Sequence, residues 1–426
     1  LADEAEDLDL LAECHEGFDK VQKSMETQRL ATLLSGEYDG KNAILKKQII
    51  ALCVNEGDYS IADLSKELNT SIPTITKLVG ELIEEGFIVD MGKQGTNGGR
   101  RPSIYGLNPS AGYFVGIDVR KDSIGIAVTD FKGQITDAVS DVQFTLLNSE
   151  SSLRELCETV KDYLGKSNIP TEKVRAYGIN LTGRVNHETG YCFTYFIGED
   201  RPIGAFMEDE LEAPVFVEND SRAMTYGEYI CGVAGNEKNM LFINVSWGLG
   251  MGMIVDGKLS YGKSGYSGEI GHFPFMDNNQ ICHCGKTGCL ETGASGSAIH
   301  RMFIEKLEEG RASVLAEAYR NGEKISLQDI LNAVAEEDVL AIEIGEKTGA
   351  TAIAGLINIF NPELVVIGGI VSKAKDYLLL PVKSTIQKHS LNLVSKDTVI
   401  KFSKLGEKAG PIGACMLSRS RLLGLI

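Results

Sequence analysis

The sequence contains no long apolar run. No window approaches the roughly 18 consecutive apolar residues that a membrane helix needs, and residues 1–9 carry five acids where a secretion signal has basic and apolar regions. We therefore expect a soluble, cytoplasmic protein with no membrane partner. A length of 426 residues allows two or more separate cores, so we also expect several domains.

An excess of basic residues is also lacking. The 42 Lys and Arg residues face 59 Asp and Glu, giving a formal net charge of -17, the opposite of the basic surface of a protein coated in nucleic acid. Any contact with DNA must therefore be local. Much of the acid lies in residues 1–40, an acidic N-terminal segment. Its role stays open between a solvated acidic face and an interaction tail.

Cysteines spaced for a disulfide framework are missing as well. Most of the nine cysteines occur singly within apolar stretches, as reduced core thiols do. These single cysteines are Cys53, Cys157, Cys192, Cys231 and Cys415. Only Cys282, Cys284 and Cys289 form a cluster, which indicates a different use for these three thiols.

Residues 41–85 show apolar spacing typical of three short helices. Ser60 with Asp63 resembles a capping box, Pro73 suits a first helical turn, and Gly86 ends the third helix. Only residues 69–72 separate the second and third helices, the short connection of a helix-turn-helix. The predicted inward positions of the third helix, residues 71–84, are Ile75, Leu78, Val79, Leu82 and Ile83.

A wing follows these helices. Residues 87–91 read as a strand, residues 92–99 as a hairpin tip and residues 103–105 as the returning strand, so residues 41–109 are predicted to form a winged helix-turn-helix domain. The alternative is a helical domain that binds a protein. The predicted DNA contacts are Ser71, Thr74 and Lys77, near the start of the recognition helix, and Arg100 and Arg101 at the wing base.

Beyond residue 110 the pattern becomes α/β, with strands predicted near 113–118, 124–129, 174–180, 215–218, 240–246, 251–256 and 364–368. Two stretches, residues 113–130 and 240–259, each read as a strand, a tight turn and a second strand. Any two hairpins can look this similar. As a repeat, however, they predict two related lobes with a cleft between them.

A metal site is the sharpest chemical signal. Cys282, Cys284 and Cys289 supply three thiolates within eight residues, and glycines between them let the backbone fold around an ion. His272 or His283 could supply the fourth ligand of a tetrahedral zinc. A disulfide between Cys282 and Cys284 is disfavoured, because the two cysteines flank a single residue. The alternative to zinc is therefore a loop of unmetallated thiols.

Polar residues follow a predicted strand at Glu218, Asn219 and Asp220, where α/β clefts bind ligands. Asn219 and Asp220 could hydrogen-bond sugar hydroxyls, and Asp220 could act as a general base in phosphoryl transfer. A simple helix N-cap is the alternative. Glu269 and Glu291 place two further carboxylates beside the proposed metal loop. The glycine-rich turn at residues 246–252 could cradle a phosphate, which alone is a weak signal.

These motifs together resemble the ROK family of repressors, open reading frames and sugar kinases. The glycine series through His272, the Cys-x-Cys-Gly-x-x-Gly-Cys-x-Glu motif at residues 282–291, and the motifs at 365–369 and 409–414 match in order, from about residue 113 to the C-terminus. With the winged helix and the motif at residues 98–102, the architecture is similar to that of the sugar-linked repressors of the family.

The resemblance implies an α/β, two-lobed actin/hexokinase-like (ribonuclease H-like) sensor domain over residues 110–426 and a homodimer or homotetramer. It implies a structural zinc held by His272, Cys282, Cys284 and Cys289, so that His283 is not a ligand. It also implies that a monosaccharide or sugar phosphate is bound by Asn219, Asp220, Glu269, His272 and Glu291, with the turn at Gly183 nearby.

One departure from the family pattern bears on function. Family kinases carry Asp-x-Gly-Gly-Thr as a phosphate loop. This chain has the aspartate at Asp118, but the bulky Arg120 and Lys121 replace the glycines and Asp122 adds a charge that repels phosphate. We therefore expect a non-catalytic, sugar-responsive transcriptional regulator that binds operator DNA and represses carbohydrate-use genes. The alternatives are an ATP-dependent sugar kinase with an accessory domain, in which Asp220 would be catalytic, and a protein-binding sensor without DNA affinity.

Overall fold

A computed structural model describes residues 40–93, 102–195, 201–347 and 350–426. Of the predicted acidic segment only Gly40 lies within these ranges, and the predicted wing-base contacts Arg100 and Arg101 lie outside the described residues.

The N-terminal domain has three helices and a small sheet. Its elements are α1 (Lys41–Asn55), β1 (Tyr59–Ser60), α2 (Ile61–Glu67), α3 (Ile72–Glu84), β2 (Ile88–Lys93) and β3 (Ser103–Leu107). The strands lie antiparallel in the order β1-β3-β2. Ser60 caps α2 by accepting from the Asp63 N–H at 3.2 Å, Pro73 lies in the first turn of α3, and Gly86 adopts a φ of 80° after it. The predicted helix-turn-helix and wing strands are confirmed.

One of the five residues of α3 that were predicted to face inward does not do so. Ile75, Leu78, Val79 and Leu82 are buried, but Ile83 is 38% exposed. Ile83 follows Leu82 by one residue, a rotation of roughly 100° around a helix of 3.6 residues per turn. The short helix therefore buries one stripe and leaves Ile83 beside it.

The first lobe contains β4 (Tyr113–Val119), β5 (Ser123–Asp130), β6 (Ile135–Gln143), α4 (Glu150–Lys166), β7 (Val174–Leu181), β8 (Val185–Asn186), β9 (Tyr191–Cys192), α5 (Ile203–Leu211), β10 (Val215–Asn219) and α6 (Asp220–Cys231). Its main sheet has the order β10-β7-β4-β5-β6. Strands β4, β7 and β10 are parallel, and α4 and α5 share a core with one face of the sheet. The pattern did not predict β6, because most of its side chains are exposed or half-buried.

The second lobe contains β11 (Met240–Val245), β12 (Leu249–Val255), β13 (Lys258–Leu259), α7 (Glu291–Ala294), α8 (Gly296–Glu308), α9 (Ala316–Arg320), α10 (Leu327–Ala335), α11 (Val339–Lys347), α12 (Ala350–Phe360), β14 (Leu364–Gly368), α13 (Lys375–His389), α14 (Asn392–Asp397), β15 (Val399–Phe402) and α15 (Ala409–Leu422). Its sheet has the order β13-β12-β11-β14-β15. Helices α8 and α10–α13 cover one face. The two predicted hairpins, β4–β5 and β11–β12, thus begin two five-stranded sheets.

Helix α15 joins the three parts of the molecule. It packs against α6 and against strands β4, β5 and β7, and its residues share a core with the second sheet. Cys415, midway along the helix, and Leu423, just beyond its C-terminal end, lie in the same core as the winged helix. The ring of Phe131 adds to this junction, with centroids 5.7 Å from Phe87 and 6.0 Å from Phe114. The N-terminal domain is therefore packed onto the first lobe.

Within the described ranges, no helix combines the length and apolar character needed to cross a bilayer.

Candidate ligand and metal site

The parallel strands β4, β7 and β10 end side by side at one edge of the first sheet. Asp118 is paired in register with Asn180, which is paired in turn with Glu218. Because the carboxyl ends of parallel strands meet at one edge, the residues that follow β10 lie beside the β4–β5 turn. This edge is the first half of the candidate site.

Asn219, Asp220 and Gly183 are brought together there. Asn219 caps α6, its Oδ1 accepting from the Arg222 N–H at 3.1 Å, while its Nδ2 donates to Gly183 O at 2.9 Å and to Asp220 Oδ1 at 2.8 Å. Gly183 has a φ of 100°, in the left-handed region that favours glycine. The helix-cap alternative is thus correct for Asn219, and the same amide also ties the turn at Gly183 to Asp220.

Asp220 is placed to accept hydrogen bonds. Its Oδ1 accepts from the Ser221 N–H at 2.7 Å, and its Oδ2 accepts from the Thr182 hydroxyl at 3.1 Å. Burial raises the pKa of Asp220 above its ordinary value, although these two donors oppose the shift. Sequence reasoning missed Thr182, whose only signal was its place before the Gly183 turn.

The buried Arg222 and the half-buried Arg421, which sequence reasoning also missed, hold the end of β10. Glu218 Oε1 accepts from Arg222 Nε at 2.6 Å, and its Oε2 accepts from Arg421 near the end of α15. Burial alone would raise the pKa of Glu218, but the two guanidinium groups reverse this and hold it below its ordinary value. Glu218 is therefore a structural anion that anchors the strand preceding Asn219.

The β11–β12 turn joins this cluster to the second half of the site. A β-carbon added at Gly250 would lie 2.2 Å from Ser221 Oγ, and one added at Gly248 would lie 3.0 Å from Glu291 Oε2. The Leu249 N–H donates to that Glu291 oxygen at 3.1 Å. The glycines thus allow the turn to fit between the Asp220 side and the Glu291 side.

Four residues form a candidate metal centre beside Glu291. The ligand atoms of His272, Cys282, Cys284 and Cys289 all lie within 4.8 Å of one another. Cys282 Sγ is 3.6 Å from His272 Nδ1, and Cys284 Sγ is 3.6 Å from Cys289 Sγ. Tetrahedral zinc with Zn–S bonds of about 2.3 Å would separate two sulfurs by roughly 3.7 Å. The four residues therefore fit a zinc ion.

The other side of His272 faces a carboxylate. Its Nε2 lies 3.8 Å from Glu269 Oε2, near it but beyond hydrogen-bond distance. A second possible ligand set, Cys282, His283 and Glu291, shares one cysteine with the first. The predicted residues Glu269, His272 and Glu291 are thus grouped around the metal centre.

The β4–β5 turn differs from the β11–β12 turn. Asp118 is buried, and its Oδ2 lies 3.2 Å from Arg120 Nε as an ion pair without hydrogen-bond alignment. Arg120 also donates to Ser140 O on β6. Burial raises the pKa of Asp118 to about 6, with Arg120 opposing the shift and Asp220 adding to it. Arg120 therefore lies against the carboxylate at the point where a phosphate loop would need glycine.

The predicted DNA contacts lie at the start of α3. Lys77 is 68% exposed and lies 3.8 Å from Glu81. Ser71 is exposed, and its hydroxyl lies 2.8 Å from the half-buried Thr74 hydroxyl. Thr76 is also exposed on this face, although sequence reasoning did not select it. The N-terminal turn of α3 thus presents hydroxyl groups and one cation to solvent.

Comparison with known proteins agrees with both parts of the chain. Residues 114–421 match the family model described as ROK family, and residues 44–89 match the model described as winged helix-turn-helix DNA-binding. A xylose repressor from Caldicellulosiruptor bescii is 29% identical over 90% of this chain and 98% of its own length. A glucokinase from Halalkalibacterium halodurans is 32% identical over 72% of this chain and 96% of its own length.

A solved structure spans both domains. The crystal structure of a ROK family transcriptional regulator, described as a homolog of the Escherichia coli Mlc protein, aligns with a TM-score of 0.75 and 28% identity. The alignment covers 89% of this chain and 96% of that one. Because the ROK family model matches well over half of the sequence, the chain belongs to the ROK family, with a winged helix-turn-helix at its N-terminal side.

Proposed function

We propose that this protein is a transcriptional repressor whose affinity for operator DNA is changed by a monosaccharide or sugar phosphate. One observation carries the proposal. The hydrogen bonds around Asp220 are in place, since Thr182 donates to Asp220 and Asn219 donates to Gly183 O. In contrast, Arg120 lies against Asp118 in the turn that would have to bind the phosphates of a nucleotide. A sugar can therefore be bound without being phosphorylated. The repressor named above aligns over the winged helix as well as the ROK domain.

The proposed sugar site consists of Gly183, Asn219, Asp220, Glu269, His272 and Glu291. Carboxylates and amides in a cleft suit a ligand with many hydroxyl groups, since each hydroxyl needs an acceptor when it leaves water. A structural zinc on His272, Cys282, Cys284 and Cys289 would hold the second half of this site in place.

A route from the sugar site to the DNA-binding domain runs through two helices. Asp220 begins α6, and α6 meets α15 at glycines: a β-carbon at Gly413 would lie 1.8 Å from Ala223 O, and one at Gly227 would lie 2.8 Å from Ala409 O. So close a backbone contact cannot slide without separating the helices. The far end of α15 lies in the winged-helix core. We propose that a sugar moves α6 and α15 together and so changes the position of the DNA-binding domain.

On the DNA side, we propose contacts by Ser71, Thr74 and Lys77 in the major groove and by Arg100 and Arg101 of the wing. Residues 41–109 and 110–426 remain the proposed domain bounds. A homodimer or homotetramer would place two such domains on the two halves of an operator.

The test measures operator affinity and sugar binding on the same protein. Fluorescence anisotropy with DNA from upstream of the chain's own gene should detect tight, salt-dependent binding, weakened by at least one of D-xylose, D-glucose and their phosphates. Lys77→Ala should reduce DNA affinity and lower the salt slope by about 1, with sugar binding unchanged. Absence of DNA binding at low salt would exclude the proposal and favour a protein-binding sensor.

An ATP-dependent sugar kinase is the second candidate. It is favoured by the intact Asp220, with Thr182 beside it, and by the relative named glucokinase. A coupled assay for ADP release with the same sugars distinguishes the two functions. Turnover within the ordinary range of enzymes, about 1 per second or faster, would establish the kinase. It would also contradict the argument that Arg120 prevents nucleotide binding.

A further inference from the structure

His283 lies between two of the proposed zinc ligands, Cys282 and Cys284, yet its imidazole contacts a residue of the proposed sugar site. His283 Nδ1 is 2.7 Å from Glu291 Oε1. The side chain of His283 is 72% exposed and that of Glu291 only 13%, so the imidazole covers the carboxylate from the solvent side. Neither the family match nor the relatives named above give this histidine a role.

The distance argues for a direct contact between His283 and Glu291 and against shared metal coordination. Two nitrogen or oxygen ligands of one tetrahedral zinc, each about 2.1 Å from the ion, would lie roughly 3.4 Å apart. A separation of 2.7 Å is shorter than this and is the distance of two polar atoms in direct contact. His272 and the three cysteines already supply four ligands, so a single structural zinc leaves His283 free to contact Glu291.

Glu291 is held from its other side by the β11–β12 turn. Its Oε2 accepts from the Leu249 N–H at 3.1 Å, and a β-carbon at Gly271 would lie 3.5 Å from the same oxygen. One oxygen thus accepts a hydrogen bond from the start of β12, and the other lies against His283 of the metal loop. With both carboxylate oxygens anchored, the carboxylate has a single orientation and the remaining lone pairs point in fixed directions.

The metal loop in turn fixes His283. The Cys282 N–H donates to Lys286 O and the Gly285 N–H donates to Cys282 O, both at 2.8 Å, which closes a tight turn around the histidine. With zinc bound to the residues on either side, His283 would lose most of its backbone freedom. Its contact with Glu291 then forms at little further entropic cost.

We propose that His283 is a positioning residue, one that transmits the order of the zinc loop to Glu291 and so sets sugar affinity. This inference rests on the proposed function, because it assigns Glu291 to the sugar. It distinguishes two uses of the metal loop. The four ligands stabilise the fold, and the residue between the first two cysteines orients the carboxylate that receives sugar hydroxyls.

The experiment compares three variants of the full-length protein. His283→Ala removes the donor, His283→Asn keeps an N–H near the position of Nδ1, and Gln280→Ala changes an exposed side chain of the same loop as a control. Zinc per chain is measured by elemental analysis. Binding of D-xylose, D-glucose and their phosphates is followed by the fluorescence of Trp247, the single tryptophan, which is 62% exposed on the β11–β12 turn.

We expect one zinc per chain in all four proteins, about tenfold weaker sugar binding in His283→Ala, recovery to within about threefold in His283→Asn, and no change in Gln280→Ala. Loss of zinc in His283→Ala would identify His283 as a ligand and overturn the inference. Unchanged sugar affinity in a folded, zinc-loaded His283→Ala would also overturn it, with the proposed function intact. If the unmodified protein binds none of these sugars, the proposed function fails and the inference fails with it.

Discussion

The two hairpins β4–β5 and β11–β12 are similar in their strands but opposite in the chemistry of their turns. Asp118 faces Gly125 in the first hairpin, and Asn244 faces Gly250 in the second. The first turn carries Arg120 and its charged neighbours, whereas the second contains Gly248 and is followed by Gly250 and Gly252 on β12. The first turn is closed by an ion pair, and the second brings its backbone against Ser221 and Glu291.

The difference shows how two hairpins can share a fold and differ in the ligands that their turns can approach. A strand pair needs only apolar residues to bury and backbone pairing, and both hairpins have these. Close approach of a phosphate also needs residues without side chains at the turn, and only the second hairpin still has them. We therefore expect the two hairpins to respond differently to matched changes.

The largest expected effect is a loss of stability when the metal loop is changed, because this loop supports only the second hairpin. Cys284→Ser replaces one of the four proposed zinc ligands, and we expect zinc to be lost together with at least about 3 kcal/mol of stability, because binding to a structural site is folding free energy. Thermal unfolding and zinc analysis provide the measurement. Sugar binding should disappear, while DNA binding without sugar should remain below the unfolding temperature.

Cys231→Ser is the matched control, since Cys231 is a half-buried single cysteine on α6. It should retain zinc and most of its stability. Equal zinc content in the Cys284→Ser and unmodified proteins would contradict the ligand assignment.

The sequence predicted the hairpins and the metal loop because both have short-range signals. Short apolar runs mark each strand, and closely spaced cysteines mark the loop. The partners of these motifs were missed, since Arg421 meets Glu218 across 203 residues and a single sequence contains no signal for such a pair. Strand β6 was missed because its side chains are largely exposed, so no apolar periodicity distinguishes it from a loop.

The site was predictable to a similar degree. Asn219 and Asp220 stand at a strand end, a position that a sequence can reveal, and the resemblance added Gly183. Thr182 and the contact between His283 and Glu291 depend on how two loops approach each other in space. The resemblance excluded His283 as a zinc ligand but offered no reason for its presence.

The second prediction tests the closed turn of the first hairpin. The raised pKa of Asp118, about 6 against an ordinary value of 3.8, means that the folded protein holds a proton between pH 4 and 6 that the unfolded chain releases. Raising the pH through this window therefore destabilises the fold, by up to about 3 kcal/mol above pH 6. Asp118→Asn removes this dependence and should be the more stable protein at pH 7.5.

Urea unfolding at pH 4.5, 5.5 and 7.5 measures the effect. The free energy of unfolding of Asp118→Asn, relative to that of the unmodified protein, should increase with pH. Asp141→Asn, which changes an exposed residue on β6, should show no such increase. An advantage that stays constant across the three pH values would indicate that Asp118 does not titrate in this range.

The smallest expected effect is a difference in stability between two glycine substitutions at equivalent positions of the two hairpins. A β-carbon at Gly250 would lie 2.2 Å from Ser221 Oγ, whereas one at Gly125 would lie 3.1 Å from Pro411 Cγ and 3.3 Å from Arg120 Nη2. Gly250→Ala should therefore cost about 1–3 kcal/mol as an overpacking change and weaken sugar binding, because it displaces Ser221 beside Asp220. Gly125→Ala should cost less than about 1 kcal/mol and leave sugar binding intact, since the flexible end of Arg120 can move. Equal losses of stability in the two variants would show that β12 does not need glycine at position 250 for close approach to Ser221, and the contrast between the hairpins would then rest on charge alone.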